Sequence, residues 1–327
     1  MTELAGELRV GTRASLLART QTDHVVAALI AAARADAEAA RPVRIVDVVT
    51  EGDRSTAPLA AVGGSGLFVS ALREALLDGR IDVAVHSCKD LPTAPVAGLA
   101  LGAVPSREDP RDALVARDGL TLAELPAGAR VGTGSPRRMA ALRALGLGLE
   151  VVAIRGNVDT RAAMVASGAL DAVVLAASGL RRLGRIGLAT ELIDPERMLP
   201  APAQGALAVE CRAEDAATLA LLARLDDADA RAEALAERAL LAQREAGCSA
   251  PVGALARIGA GRRGDGARGG ADPARVLRLR AAVIAVDGSA AVRASGAGDP
   301  SRAEEIGRRL ARDLLAAGAN TMMGTRA

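Results

Sequence analysis

Short β-type runs alternate with amphipathic or Ala-rich helical segments along most of this chain, and that alternation admits few architectures. Leu8–Gly11, a helix over about Ser15–Ala35, Arg44–Val49, a helix over Leu67–Leu77 and Ile81–Val85 set the rhythm. Strand–helix–strand units of this length build parallel sheets covered by helices. After the Pro- and charge-rich stretch Val104–Asp112 the rhythm resumes. It runs through Ala113–Ala116, Arg130–Gly132, a helix near Pro136–Leu145, Val151–Ile154, a helix over about Val158–Ser167 and Ala172–Ala176. A second α/β lobe is therefore expected behind the first. Met198–Gly205, rich in Pro and Gly, reads as a crossing linker, after which Ala206–Glu210 and a helix to about Leu225 return the chain to the first lobe. From Asp226 a long helix to about Glu245, a Gly-Cys loop, strand candidates Val252–Ile258 and Val276–Val286 and a final helix Arg302–Ala316 describe a small α+β domain. The expected partition is 1–104 with 206–224, then 105–205, then 225–327, with linkers near Pro105 and Pro200 that allow hinge motion.

Composition narrows the partners. Phe68 is the only aromatic residue and the apolar side chains are almost all Ala, Leu and Val, so cores pack by aliphatic interdigitation and no base-stacking platform exists. The 41 basic and 39 acidic side chains leave a net charge of +2, which gives no global field for nucleic acid or anionic lipid. Any anion site has to be local. Residues 1–10 lack a basic segment followed by an apolar run, and Val25–Ala33 falls short of a membrane span, so a cytoplasmic location is expected. Cys88, Cys211 and Cys248 are widely spaced with no C-x-x-C, which points to neither a disulfide framework nor a metal site.

Chemistry concentrates where strands end. Gly11-Thr12-Arg13-Ala14-Ser15 leads from a strand into a helix, where unpaired N–H groups and Arg13 suit an anion; taken alone, it reads more simply as an ordinary cap with a solvated arginine. His86-Ser87-Cys88-Lys89-Asp90-Leu91-Pro92 follows an apolar strand, the position at which open α/β sheets bind ligands. Lys89 is the only lysine in a chain that otherwise uses arginine, which marks a place where a compact, titratable ammonium matters. Asp90 beside that cation stays ionised and can stabilise positive charge forming on a ligand, although a surface pair before a proline turn would look the same. Thr133-Gly134-Ser135-Pro136-Arg137-Arg138 is again strand, small-residue turn and helix start, without the spacing of a nucleotide loop. Arg155, Arg161, Arg181 and Arg182 follow further strands, and together these loops suggest a cleft that reads several carboxylates or phosphates. Cys248, flanked by Gly247 and Ser249, is either a small buried hydrophobe or an exposed nucleophile.

Seven segments recur in order over nearly the whole chain. They are 11–15, 62–68 (Val-Gly-Gly-Ser-Gly-Leu-Phe), 86–92, 107–112 (Arg-Glu-Asp-Pro-Arg-Asp), 155–158 (Arg-Gly-Asn-Val), 202–205 (Pro-Ala-Gln-Gly) and Gly247-Cys248. In this order and spacing the chain resembles the porphobilinogen deaminase family. The resemblance implies an α/β fold with two lobes like type II periplasmic binding proteins flanking a cleft, plus a small α+β C-terminal domain. It implies a dipyrromethane cofactor held covalently by Cys248, and a monomer that condenses four porphobilinogen molecules. By motif position, Lys89, Thr133, Ser135, Arg137 and Arg138 bind the cofactor; Arg13, Ser15, Phe68, Ser87, Arg155, Arg161, Arg182 and Gln204 bind substrate; Asp90 is catalytic. The chain departs from the family pattern at Ala61 and Ser65, where many relatives carry lysine. Two other classes fit parts of the pattern: a non-catalytic two-lobe module binding an anionic solute, which has no use for Cys248, and a Schiff-base enzyme using Lys89, which requires a carbonyl cofactor.

Overall fold

The computed structural model describes residues 6–35, 41–48, 66–242, 251–260 and 275–322. In chain order the elements are β1 (Leu8–Thr12), α1 (Leu16–Ala35), β2 (Val43–Asp47), α2 (Gly66–Leu77), β3 (Val83–Ser87) and β4 (Leu99–Ala103). Then come β5 (Asp112–Ala116), β6 (Arg130–Thr133), α3 (Pro136–Ala144), β7 (Glu150–Ala153), α4 (Val158–Ala166), β8 (Ala172–Ala176), α5 (Ala177–Arg182) and β9 (Glu191–Leu192). The chain continues with β10 (Leu207–Arg212), α6 (Ala216–Ala223), α7 (Ala228–Ala242), β11 (Val252–Ala260), β12 (Arg275–Ile284), β13 (Ala291–Gly298) and α8 (Ala303–Ala316).

The chain divides into two compact units, the first made of 1–109, 181–184 and 205–231, the second of 110–180, 185–204 and 232–327. The first unit holds a sheet of order β2-β1-β3-β10-β4, in which β1 runs parallel to β2 and β3 while β10 is antiparallel to both its neighbours. Period-two alternation sorts its side chains. Leu8, Val10, Val83, Val85 and Val209 face Val25 and Leu29 of α1 and Leu222 of α6, whereas Ala84 on the other face meets Leu72 and Leu76 of α2.

The second unit holds a sheet of the same topology, β7-β6-β8-β5-β9, again with three parallel strands beside one antiparallel strand, here β5. Leu114, Val131 and Val174 pack with Ala140 and Ala141 of α3, while Ala113, Val115, Val173 and Leu175 turn to Val165 and Leu180. The same unit contains the small C-terminal domain, an antiparallel β11-β12-β13 sheet covered by α7 and α8. Ala282 and Ile284 of β12 belong to the core that Leu114 and Val131 build, so the two sheets of this unit share apolar contacts.

Helix α8 is amphipathic, burying Ile306, Leu310, Ala311 and Leu314 at helical spacing. It meets α7 at Gly307, where a Cβ would lie 2.1 Å from the Ala236 carbonyl oxygen. Only a glycine lets the helices approach so closely. Gly307→Ala is therefore expected to destabilise by about 1–3 kcal/mol through overpacking, read as a lower urea midpoint. Gly187→Ala, at a position where an added Cβ meets nothing within 4 Å, is expected to stay within about 0.5 kcal/mol.

Candidate active site

In the first unit the parallel pairing of β1 with β3 brings the ends of both strands to one edge of the sheet. Segment 13–15 follows β1, and its Ser15 hydroxyl accepts from the Ala18 amide at 3.3 Å, so the predicted N-cap is present. After β3 the chain makes one 3₁₀ turn, Cys88–Asp90, pinned by the Cys88 amide donating to the Ala206 carbonyl at 3.0 Å. The Ser87 hydroxyl faces the buried Gln21 amide, accepting from Nε2 at 2.9 Å and donating to Oε1 at 3.1 Å. Lys89, Asp90, Arg13 and Ser15 are half-buried at this edge. Arg182 belongs to the same unit and donates to the Gly205 carbonyl at 2.6 Å; burial lowers its pKa, with Glu108 opposing.

Beneath that edge lies a buried ionic group. Glu210 of β10 receives two hydrogen bonds from Arg73 of α2, at 3.0 and 2.8 Å, and His86 Nε2 lies 3.3 Å from it. Burial pushes the Glu210 carboxyl up, but His86 and Arg73 outweigh it and hold it at about 2. His86 thus supports β3 rather than facing a ligand, and Cys88 and Cys211 are buried thiols.

In the second unit β6 delivers Thr133, whose hydroxyl accepts from the Ser135 amide at 3.2 Å; Ser135 caps α3, with Pro136 in the first turn. The next two residues, Arg137 and Arg138, are 5% and 6% exposed and converge on Asp112, which is fully buried at the start of β5. Arg137 meets Oδ2 at 2.8 Å, and Arg138 meets Oδ1 at 2.8 Å and also donates to the Val174 carbonyl. Gln204, fully buried, donates to Asp112 at 2.9 Å and to the Pro110 carbonyl at 2.7 Å, and its own oxygen receives Arg138. Burial alone would raise the Asp112 carboxyl; Arg137 and Arg138 hold it below the ordinary carboxylate range.

Arg161 of α4 lies close by, with its Nε buried and making no hydrogen bond. Burial lowers its pKa, and the like charges of Arg138 and Arg155 add to that. Arg155 itself is exposed after β7. Of the site residues expected in this unit, Arg137, Arg138 and Gln204 meet at Asp112, Arg161 lies beside Arg138, and Thr133 and Ser135 form the start of α3. Two buried guanidiniums on one carboxylate leave positive charge in excess, an arrangement chemically suited to anionic groups. Among the described residues no group of His, Cys, Asp and Glu is placed to hold a metal, and no helix is long and apolar enough to cross a membrane.

Asp112 was present in the 107–112 segment but carried no role in the sequence reading, and Gln21 and Glu210 were not singled out either. The available signal was two consecutive arginines at a helix start between apolar elements, which must be buried and therefore need an acid. Cys248, Ala61 and Ser65 lie outside the described residues; of Phe68 only the place of its backbone in α2 is described.

Residues 8–220 match the family model described as porphobilinogen deaminase, dipyrromethane cofactor binding domain, and residues 231–316 match the C-terminal domain of the same enzyme. The chain belongs to the porphobilinogen deaminase family. It is 58% identical over 316 residues to the porphobilinogen deaminase of Nocardia farcinica, covering 97% of this chain and 88% of that one. It is 55% identical to the Mycobacterium tuberculosis protein of the same name, covering 97% and 98%. Among solved structures, a methionine-binding lipoprotein of Bacillus subtilis covers 67% of this chain and 89% of its own, at 14% identity and a TM-score of 0.40. Membership in the deaminase family decides against the non-catalytic solute-binding module and the Schiff-base enzyme.

Asp112→Asn leaves two buried guanidiniums with no counter-charge, and is expected to cost about 3–5 kcal/mol at pH 7. A carboxyl held down in the folded state contributes stability that is complete above its unfolded pKa, about 3.9, and is lost as pH falls toward the folded value. Urea unfolding of the wild type below about pH 4 should therefore show a steeper fall in stability than the Asp112→Asn variant does.

Proposed function

We propose that this deaminase-family chain is a transferase that joins four porphobilinogen molecules head to tail to give the linear tetrapyrrole hydroxymethylbilane. At each step the aminomethyl C–N bond of one pyrrole breaks with loss of ammonia, a C–C bond forms to the free α-carbon of its neighbour, and that carbon loses its proton. Water finally releases the tetrapyrrole. The observation that carries this reading is the excess of guanidinium over carboxylate where Arg137 and Arg138 share Asp112 beside Arg161. Every pyrrole of the substrate brings an acetate and a propionate, so the growing product is a polyacid that needs such forks.

A dipyrromethane suits the same residues, because two acidic rings need more positive charge than Asp112 neutralises. When bound, that cofactor supplies the free α-position at which the chain of rings begins. Lys89, Thr133, Ser135, Arg137 and Arg138 are assigned to its carboxylates and ring edges. Cys248 is assigned its covalent attachment through a thioether, on the segment that follows α7. Arg13, Ser15, Phe68, Ser87, Arg155, Arg161, Arg182 and Gln204 are assigned to substrate and product.

Asp90 is the catalytic residue. Loss of ammonia leaves an electrophilic methylene conjugated to a positively charged pyrrole, and a carboxylate at the ring N–H stabilises that charge as it develops. The same group can take up and return a proton as each ring regains aromaticity. The short turn Cys88–Asp90, fixed by the Cys88–Ala206 backbone bond, holds it at the strand end. A cytoplasmic monomer with the domain partition 1–104 plus 206–224, 105–205 and 225–327 completes the proposal.

Intact-mass measurement of the purified protein is expected to show an adduct of two linked pyrroles, absent from Cys248→Ala. Asp90→Asn is expected to keep that adduct and lose at least about 100-fold in kcat, the scale of removing a charge-stabilising group. An unmodified Cys248 in active wild-type enzyme, or near-normal turnover by Asp90→Asn, would contradict these assignments.

A further inference from the structure

The buried trio Arg73, His86 and Glu210 has no part in the chemistry assigned above, yet it joins three elements of the first unit, α2, β3 and β10. The strand register explains how these residues meet. In the antiparallel ladder of β3 and β10, Glu210 stands opposite Ala84 and His86 opposite Ala208, so both side chains share the face that packs on α2. Arg73 reaches across from α2 and closes a fork on the acid, Nε to Oε2 at 3.0 Å and Nη2 to Oε1 at 2.8 Å. His86 Nε2 is buried 3.3 Å from that same Oε2 and has no other partner among the described residues. Against β4, the register of β10 shifts between Val209 and Glu210, an irregularity of the kind that re-aims a side chain beside a functional site. The catalytic turn begins one step along the chain. His86 is followed by Ser87 and then by Cys88–Asp90, and Ala206, which leads into β10, accepts from the Cys88 amide at 3.0 Å.

We propose that Glu210 is a positioning residue for the reaction: held by Arg73, it fixes the end of β3 through His86 and so sets where the turn presents Asp90. A buried ion pair adds little stability over apolar side chains of the same volume. What it adds is direction, since a planar guanidinium fork admits one orientation of its carboxylate partner. That role rests on Asp90 being the catalytic residue, and it supplies the device that aims the acid.

The test is steady-state turnover of porphobilinogen by variants of the purified holoenzyme, alongside urea unfolding. Arg73→Met/Glu210→Met removes both charges together and is expected to keep the wild-type urea midpoint, because apolar replacement of a whole buried pair is often neutral. Its kcat should nevertheless fall about 10- to 100-fold, the scale for a misplacement of up to about 1 Å at the reacting group, with KM nearly unchanged and the cofactor adduct retained. His86→Leu leaves the Arg73–Glu210 fork in place and should lower kcat about 10-fold. Part of that loss should be recovered in His86→Gln, whose amide can donate to Oε2. A pair that served stability alone would leave kcat untouched in every variant that folds, and His86→Leu decides the matter should the double variant not fold. Wild-type kcat in His86→Leu or in the folded double variant, or no recovery in His86→Gln, would overturn this role. Failure of the Asp90 assignment reads differently: Asp90→Asn would then keep near-normal turnover, whatever the trio variants do.

Discussion

One fully buried carboxylate, that of Asp112, sets the geometry of the second unit. An ionised acid with no access to water persists only if partners surround it, and here they come from two distant parts of the chain, the start of α3 and the crossing segment at Gln204. Meeting that requirement fixes where α3 begins. It also presses Arg137 and Arg138 into one orientation, because each guanidinium is a planar fork that sends one further donor to a fixed carbonyl, that of Leu199 or of Val174. A functional cluster of arginines would otherwise be held apart by its own repulsion.

The first unit solves a related problem by the same device. Its antiparallel strand β10 occupies the place in the sheet order that β5 occupies in the second, and it too carries a buried acid, Glu210, that holds a helix arginine, Arg73. There the charges cancel, one guanidinium against one carboxylate, with the His86 ring 3.3 Å from the acid. In the second unit two guanidiniums share one acid, and the difference separates a structural pair from the cluster proposed to bind the cofactor. Stability would be better served by a second acid near Arg161; its absence among the described residues around that side chain leaves charge for a ligand to neutralise.

Legibility in the sequence follows the range of the interactions involved. Helix starts at Ser15 and Ser135 were readable because the cap and the amide it serves lie three residues apart. The return of the chain to the first sheet was readable from Pro and Gly in 198–205 followed by an apolar strand. Strand β13 was not, since Ala291–Gly298 contains two glycines and an arginine, gains its register wholly from β12 and leaves every residue partly or fully exposed. Strand β4, Leu99–Ala103, was missed because its run of Leu, Ala and Gly has no polar residue to set an alternation. Asp112 escaped for a different reason: its partners are 25 and 26 residues ahead and 92 ahead in sequence, distances at which no spacing rule operates.

The crossing segment shows how such a long-range requirement reaches the helix that precedes the cysteine in sequence. Ala203 sits at φ +60°, fully buried, a conformation that costs a residue with a side chain and persists only when its surroundings impose it. What imposes it is Glu237 of α7, fully buried, whose two oxygens accept from the amides of Ala203 and of Ala256 on β11. Next along the chain, Gln204 engages Asp112. A single helix acid therefore ties the crossing segment, the first strand of the C-terminal sheet and, through Gln204, the arginine pair. That helix runs to Ala242, six residues before Cys248. The strain at Ala203 is offset by a contact from the very helix that leads to the sulfur, so the position of α7 and that of the arginine cluster cannot be altered independently.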